Sequence, residues 1–179
     1  MPGVFGVKKM NLKENLSQIR VLMLDLDGVL TDGRIYYGNH GDEIKCFDMQ
    51  DGLGIVSLKK LGVPTIVVSG RKSKVNERRM KEINVQKLYQ NISNKLAVFE
   101  KTLKKCRLKP EHICYVGDDI IDLPVMKKAG VAVAVPNAVR MVKEVAHYVT
   151  EARGGEGAVR EVIDMIIEAK GQWNELLNH

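Results

Sequence analysis

Three short runs of uninterrupted apolar residues, VLML (21–24), TIVV (65–68) and VAVAV (131–135), recur along the chain, and each is followed by a stretch with helical spacing. A strand with one wet face alternates apolar and polar residues, whereas a strand without that alternation is covered on both sides. Strands of this kind alternating with helices form crossover units, which demand a parallel sheet with helices on both faces. The expected fold is therefore α/β, a Rossmann-like parallel sheet sandwich. From Ile19 onward the spacing predicts strands over 19–26, 64–68, 87–89, 113–116, 131–135 and 148–150. It predicts helices over 52–61, 73–83, 95–106, 120–129, 138–145 and 158–170. Ile35–Tyr37 and Ile44–Phe47 read as a β-hairpin turning through Gly38–Gly41.

No linker or repeat breaks this pattern, and 179 residues suit one domain with a full core. The expected division is an N-terminal extension over 1–18 and a single domain over 19–179, starting at either Met1 or Met10. The N-terminal segment lacks the apolar stretch of a signal peptide, and nothing approaches a membrane span, so the expected location is cytoplasmic with no membrane partner. Cys46, Cys106 and Cys114 form no CxxC and suit a reducing compartment. The four histidines have no zinc-ligand spacing relative to them. A net charge of +6 is compatible with anionic ligands. Much of it lies on helix faces at 71–81 and 101–109, which read as solvated surface rather than as a nucleic-acid patch.

In open parallel sheets, ligands bind beyond the carboxyl ends of the strands. Strand one ends in VLMLDLDGVLTDG, whose Asp25 and Asp27 fall on one side of the chain, about 6.6 Å apart at about 3.3 Å per residue. The strand over 64–68 ends in Ser69, Gly70 and Arg71, and the strand over 113–116 ends in Gly117-Asp118-Asp119 with Asp122 beyond. Lys95 opens a helix after the short strand between them. Carboxylates about 4 Å apart repel by about 4 kcal/mol at an effective dielectric of about 20. A hard, oxygen-seeking ion such as Mg²⁺ offsets that repulsion, while a lysine and a hydroxyl hold an anion.

The motifs DLDGVLTDG, VVSGR, Lys95 and YVGDDIIDLPVM, in that order and at strand ends, resemble those of the haloacid dehalogenase-like phosphatases. FDMQDGLGI, SGRKSKVNERR, LYQNISNKL and RGGEGAVREV further resemble the phosphatases of 3-deoxy-D-manno-octulosonate (Kdo) 8-phosphate, over roughly 19–170. The resemblance implies a fold of the haloacid dehalogenase type, with Asp25 as a nucleophile that becomes an aspartyl phosphate and Asp27 as general acid and then base. It implies Mg²⁺ held by Asp25, the carbonyl of Asp27 and Asp118, and phosphate bound by Ser69, Gly70 and Lys95. Asp119 and Asp122 would orient these groups from behind, and Arg71, Arg79 and Arg160 would contact a small anionic sugar phosphate. Gln50 stands where the family has arginine. The activity implied releases Kdo and phosphate for lipopolysaccharide biosynthesis, and a nonulosonate 9-phosphate is the alternative substrate.

A phosphoacceptor signalling receiver uses similar groups, but its acidic pair follows the first strand and its acceptor aspartate a later one, the reverse of the order here. A metal-dependent glycosyltransferase would need a nucleotide pocket and usually a longer chain. Residues 28–68 and 71–94 leave no room for a cap domain over the site. The lid is therefore expected from a neighbouring subunit, and the resemblance implies a homotetramer in which the 153–161 segment enters the adjacent site.

Overall fold

The computed structural model describes residues 11–178; both candidate starts, Met1 and Met10, and most of the expected extension lie outside them. The elements in chain order are α1 (Leu12–Ser17), β1 (Val21–Leu24), β2 (Tyr36–Tyr37), β3 (Glu43–Ile44), α2 (Met49–Lys60), β4 (Thr65–Val68), α3 (Lys74–Glu82) and β5 (Lys87–Tyr89). They continue with α4 (Lys95–Cys106), β6 (Ile113–Gly117), α5 (Leu123–Met126), β7 (Val131–Ala134), α6 (Arg140–Val145), β8 (Tyr148–Val149), α7 (Ala158–Lys170) and α8 (Trp173–Leu177). Six strands make one sheet in the order β5-β4-β1-β6-β7-β8, with every pairing parallel, while β2 and β3 form a separate antiparallel hairpin. Every residue of β1, β4, β6 and β7 is buried, so helices cover both faces, as the unalternating apolar runs require.

The chain runs outward from β1 through β4 to β5, then returns to lay β6 on the other side of β1. The crevice at this reversal lies between the ends of β1 and β6, where a sheet of this topology accepts a ligand. Between β1 and β4 the chain holds only the hairpin and α2, and between β4 and β5 only α3. No cap domain is inserted at either place.

Most elements differ from expectation by one or two residues at their ends, β1 ending at Leu24 so that Asp25 and Asp27 follow the strand, and β3 lies at Glu43–Ile44 rather than over 44–47; three further departures have identifiable reasons. Helix α2 begins three residues before the expected Gly52, because Asp48 accepts hydrogen bonds from the amides of Gln50 (2.6 Å) and Asp51 (3.1 Å) and caps the helix there. The expected helix over 120–129 is a 3-10 turn at Ile120–Asp122 followed by the one-turn α5. Asp122 causes this by turning its carboxylate back onto the amides of Asp118 and Asp119. The described part of the N-terminal segment forms α1, which buries Leu16 and packs against α7.

Candidate active site

Leu24 of β1 lies beside Val116 of β6, and the Asp25 amide donates to the Val116 carbonyl at 2.9 Å. Asp25 therefore leaves one strand beside the neighbour that leads to Asp118. The loop after Asp25 comes so near this strand that a Cβ on Gly28 would stand 2.0 Å from Asp118 Oδ2, and the φ of Gly28 is +89°. Only glycine meets both demands. Asp25, Asp27, Gly70, Arg71, Asp118, Asp119 and Ile121 line one cavity of about 160 Å³ at this point.

Beneath the cavity lies a buried charge network. Lys95 Nζ, at the first residue of α4, is 2.8 Å from Asp25 Oδ1 and 2.7 Å from Asp122 Oδ1. Burial works against its ammonium, but the two carboxylates outweigh that and raise its pKa. Asp122 is filled on both oxygens. Oδ1 also accepts from the Tyr115 hydroxyl at 2.6 Å, and Oδ2 accepts from the amides of Asp118 (3.0 Å) and Asp119 (3.2 Å). Asp25 is held above the usual carboxylate range by burial and then by the charge of Asp122, against the pull of Lys95. Asp118 is raised by burial and then by the charges of Asp25 and Asp122.

These features fit a divalent cation. Asp25, Asp118 and Asp122 each offer an oxygen within 4.8 Å of the others. Asp118 Oδ1 is buried with no hydrogen-bond partner, the state expected of a cation ligand. Asp122 is engaged elsewhere, which leaves Asp25 and Asp118 as the side chains with capacity to spare. The Asp27 carboxylate is not one of the three, because it is drawn to Lys45 at 2.6 Å.

The remaining candidates are dispersed. Ser69 is buried and does not line the cavity, its Oγ accepting from the Arg71 amide at 3.1 Å. Arg71 reaches the Tyr37 hydroxyl of the hairpin at 2.9 Å. Arg79 and Arg160 are not brought to the cavity. Arg79 donates to the Asp48 carbonyl and lies over the Phe47 ring, 5.9 Å from its centroid. Arg160 pairs with Asp164, its stem lying against Gly54 where α7 crosses α2. Gly154 and Gly155 of RGGEG lie against the chain's own first loop, with the Gly155 amide donating to the Val29 carbonyl at 3.0 Å and a Gly154 Cβ leaving no room for the Gly28 carbonyl. Two contributors escaped the sequence reading, Lys45 and Tyr115. Tyr115 precedes Val116-Gly117 within an apolar strand, where only a hydroxyl in a buried position could have drawn attention; Lys45 carried no local signal.

A buried carboxylate, a second acid two residues on, a lysine and a distant acidic pair meet at the switch point of a parallel sheet, an arrangement suited to a phosphoryl-transfer hydrolase. The chain belongs to the phosphatases of the haloacid dehalogenase-like family, whose hydrolase model matches residues 80–163. It is 43% identical over 171 residues to the 3-deoxy-D-manno-octulosonate 8-phosphate phosphatase of Escherichia coli strain BL21-DE3, covering 96% of this chain and 91% of that one. The corresponding phosphatase of Yersinia pestis superposes with a TM-score of 0.89 at 40% identity, covering 91% of this chain and 88% of the other. That of Moraxella catarrhalis, solved with magnesium, phosphate and Kdo, superposes with a TM-score of 0.90 at 35% identity, covering 93% of this chain and 95% of the other.

Proposed function

We propose that this chain hydrolyses Kdo 8-phosphate to Kdo and phosphate through an aspartyl-phosphate intermediate. The observation that carries the reading is the convergence of Asp25, Asp27 and Asp118 on one cavity in a chain 43% identical to a Kdo 8-phosphate phosphatase. In the first step an Asp25 oxygen forms a bond to phosphorus as the ester P–O bond breaks, and Asp27 gives its proton to the departing alkoxide. In the second step a water oxygen bonds to phosphorus, the Asp25–phosphorus bond breaks, and Asp27 takes the proton from the water. Splitting one displacement in two lets a single carboxyl serve as acid and then base.

Lys95 holds Asp25 from below at 2.8 Å. It keeps the nucleophile turned toward the cavity and adds positive charge beneath the reacting phosphoryl group. Ser69, the Gly70 amide and Lys95 are proposed to bind phosphate oxygens, with Asp119 and Asp122 orienting the groups around them. Asp25, Asp118 and the Asp27 carbonyl would hold a divalent cation, for which we propose Mg²⁺. When bound, it offsets the gathered negative charge. Arg71, at the rim of the cavity beside the hairpin, suits the sugar-acid carboxylate. Arg79 and Arg160, which do not line this chain's cavity, could take part only from a neighbouring subunit.

Phosphate release from Kdo 8-phosphate, a nonulosonate 9-phosphate and glucose 6-phosphate, with Mg²⁺ and with EDTA, tests the reading. Kdo 8-phosphate should be fastest, the nonulosonate next, and EDTA should stop all three. Equal rates on glucose 6-phosphate would refute the substrate assignment. Normal turnover by Asp25→Asn, a nearly isosteric change, would refute the mechanism.

A further inference from the structure

Lys45 leaves the hairpin at the end of β3 and turns inward. Its side chain has no solvent exposure, although Ile44 and Cys46 on either side are exposed. The ammonium donates to Asp27 Oδ1 at 2.6 Å and to Asn76 Oδ1 of α3 at 3.0 Å. It also lies 3.3 Å from Glu43 Oε1, close enough for an ion pair but without hydrogen-bond geometry. Among the described residues no other side-chain hydrogen bond or ion pair reaches the Asp27 carboxylate. The terminal torsion of an aspartate has a broad preference, so an unheld carboxylate swings. A charge-assisted bond in a sheltered position fixes it. Burying an ammonium is costly unless it is paired, and an apolar residue would cover this position at less cost, so the pairing points to a use beyond cover.

The charges continue outward from Lys45. Glu43 Oε2 lies 3.9 Å from the Arg71 guanidinium, which in turn meets Tyr37 of the hairpin. A ligand touching Arg71 is thus two side chains from the group that holds Asp27. We propose that Lys45 is a positioning residue for Asp27: by fixing one carboxylate oxygen it directs the other at the phosphate ester, so that hairpin placement and proton transfer are set together. The inference rests on the reading of Asp27 as acid and base.

Its test exploits a leaving group that needs no proton. Nitrophenolate departs without one, so only the second step on p-nitrophenyl phosphate requires Asp27. Lys45→Met, rapidly mixed with that substrate, should release a burst of about one nitrophenolate per site and then turn over slowly. On Kdo 8-phosphate the same variant should lose about 100-fold in kcat, with KM changed by less than about threefold. Lys45→Arg, which keeps a cation within reach, should recover about tenfold of that loss. Asp27→Asn serves as the reference and must itself show the burst. If it turns over normally, or is slow without a burst, the acid–base reading has failed. If Asp27→Asn behaves as stated while Lys45→Met keeps native kcat, or is slow without a burst, the positioning role is overturned. Lys45→Ala, which leaves room for water around Asp27 and Glu43, is read in the same way if Lys45→Met does not fold.

Discussion

Asp51 shows how a single buried acid joins two distant parts of the chain. It sits in the first turn of α2, and its Oδ1 accepts from the Arg160 amide at 2.7 Å, across 109 residues. Helix α7 starts after Gly157 and has no side-chain cap of its own, so Asp51 caps it from outside. The other oxygen, Oδ2, is buried without a partner. Burial raises the Asp51 pKa from 3.8 to about 6, although the hydrogen bond from Arg160 opposes the rise. A folded-state pKa above the unfolded value means that the native state binds the extra proton. The associated stability is full below about pH 4 and is lost as pH rises through about 6, on the order of 3 kcal/mol. Urea unfolding of the native protein should therefore show stability falling between these pH values. Asp51→Asn, which keeps the acceptor and cannot ionise, should flatten that part of the profile. An unchanged slope in the variant would assign the pH dependence to other groups.

Among the elements, the β2–β3 hairpin is the least covered. Tyr36 and Ile44, cross-strand partners on one face, are 51% and 60% exposed, Tyr37 on the other face is 67% exposed, and Met49 and Leu53 at the start of α2 are exposed as well. Apolar residues gathered on a two-stranded ribbon suit a contact with a second body. With no cap domain among the described residues, the proposed body is another copy of the chain, in a homotetramer whose neighbours close the site. Ile44→Glu places a charge on this face without touching the inward-facing Lys45. Sedimentation should find the native protein as a tetramer and this variant as smaller species, with KM for Kdo 8-phosphate raised because the lid is gone. A native protein that sediments as a monomer would remove the shared lid.

For the whole molecule, the acids at the switch point oppose folding until their charge is offset. A cation bound only by the folded state stabilises it by about 2.7 kcal/mol at about 100 times its dissociation constant. Thermal melts with Mg²⁺ should therefore end above those with EDTA, and Asp118→Asn should shrink the difference. Equal melting temperatures in an active enzyme would mean that Asp25 and Asp118 do not hold the ion. Among the described residues no helix is long and apolar enough to cross a membrane.

The sequence by itself determined the layered sheet and the positions of the strand-end acids, because both follow from local rules. A strand buried on both faces must be apolar throughout, and in such a sheet the polar residues just past its carboxyl end face the crevice. Asp25, Asp27, Gly70, Arg71 and Asp118 were legible for that reason, as were β5, α4 and α7 at their full extents. Spacing did not decide which side chains meet; the tertiary structure did, although the family resemblance implied Asp122 behind Lys95. Lys45 reaches Asp27 across 18 residues, Lys95 reaches Asp122 across 27, and Asp51 caps a helix 109 residues away. None of these pairings leaves a trace in spacing, because each depends on how separate elements pack. The same limit explains the expected helix over 120–129. Its apolar periodicity was real, but Asp122 reaches fuller hydrogen bonding by turning back to the amides of Asp118 and Asp119 and to Tyr115 and Lys95 than by standing on a regular helix.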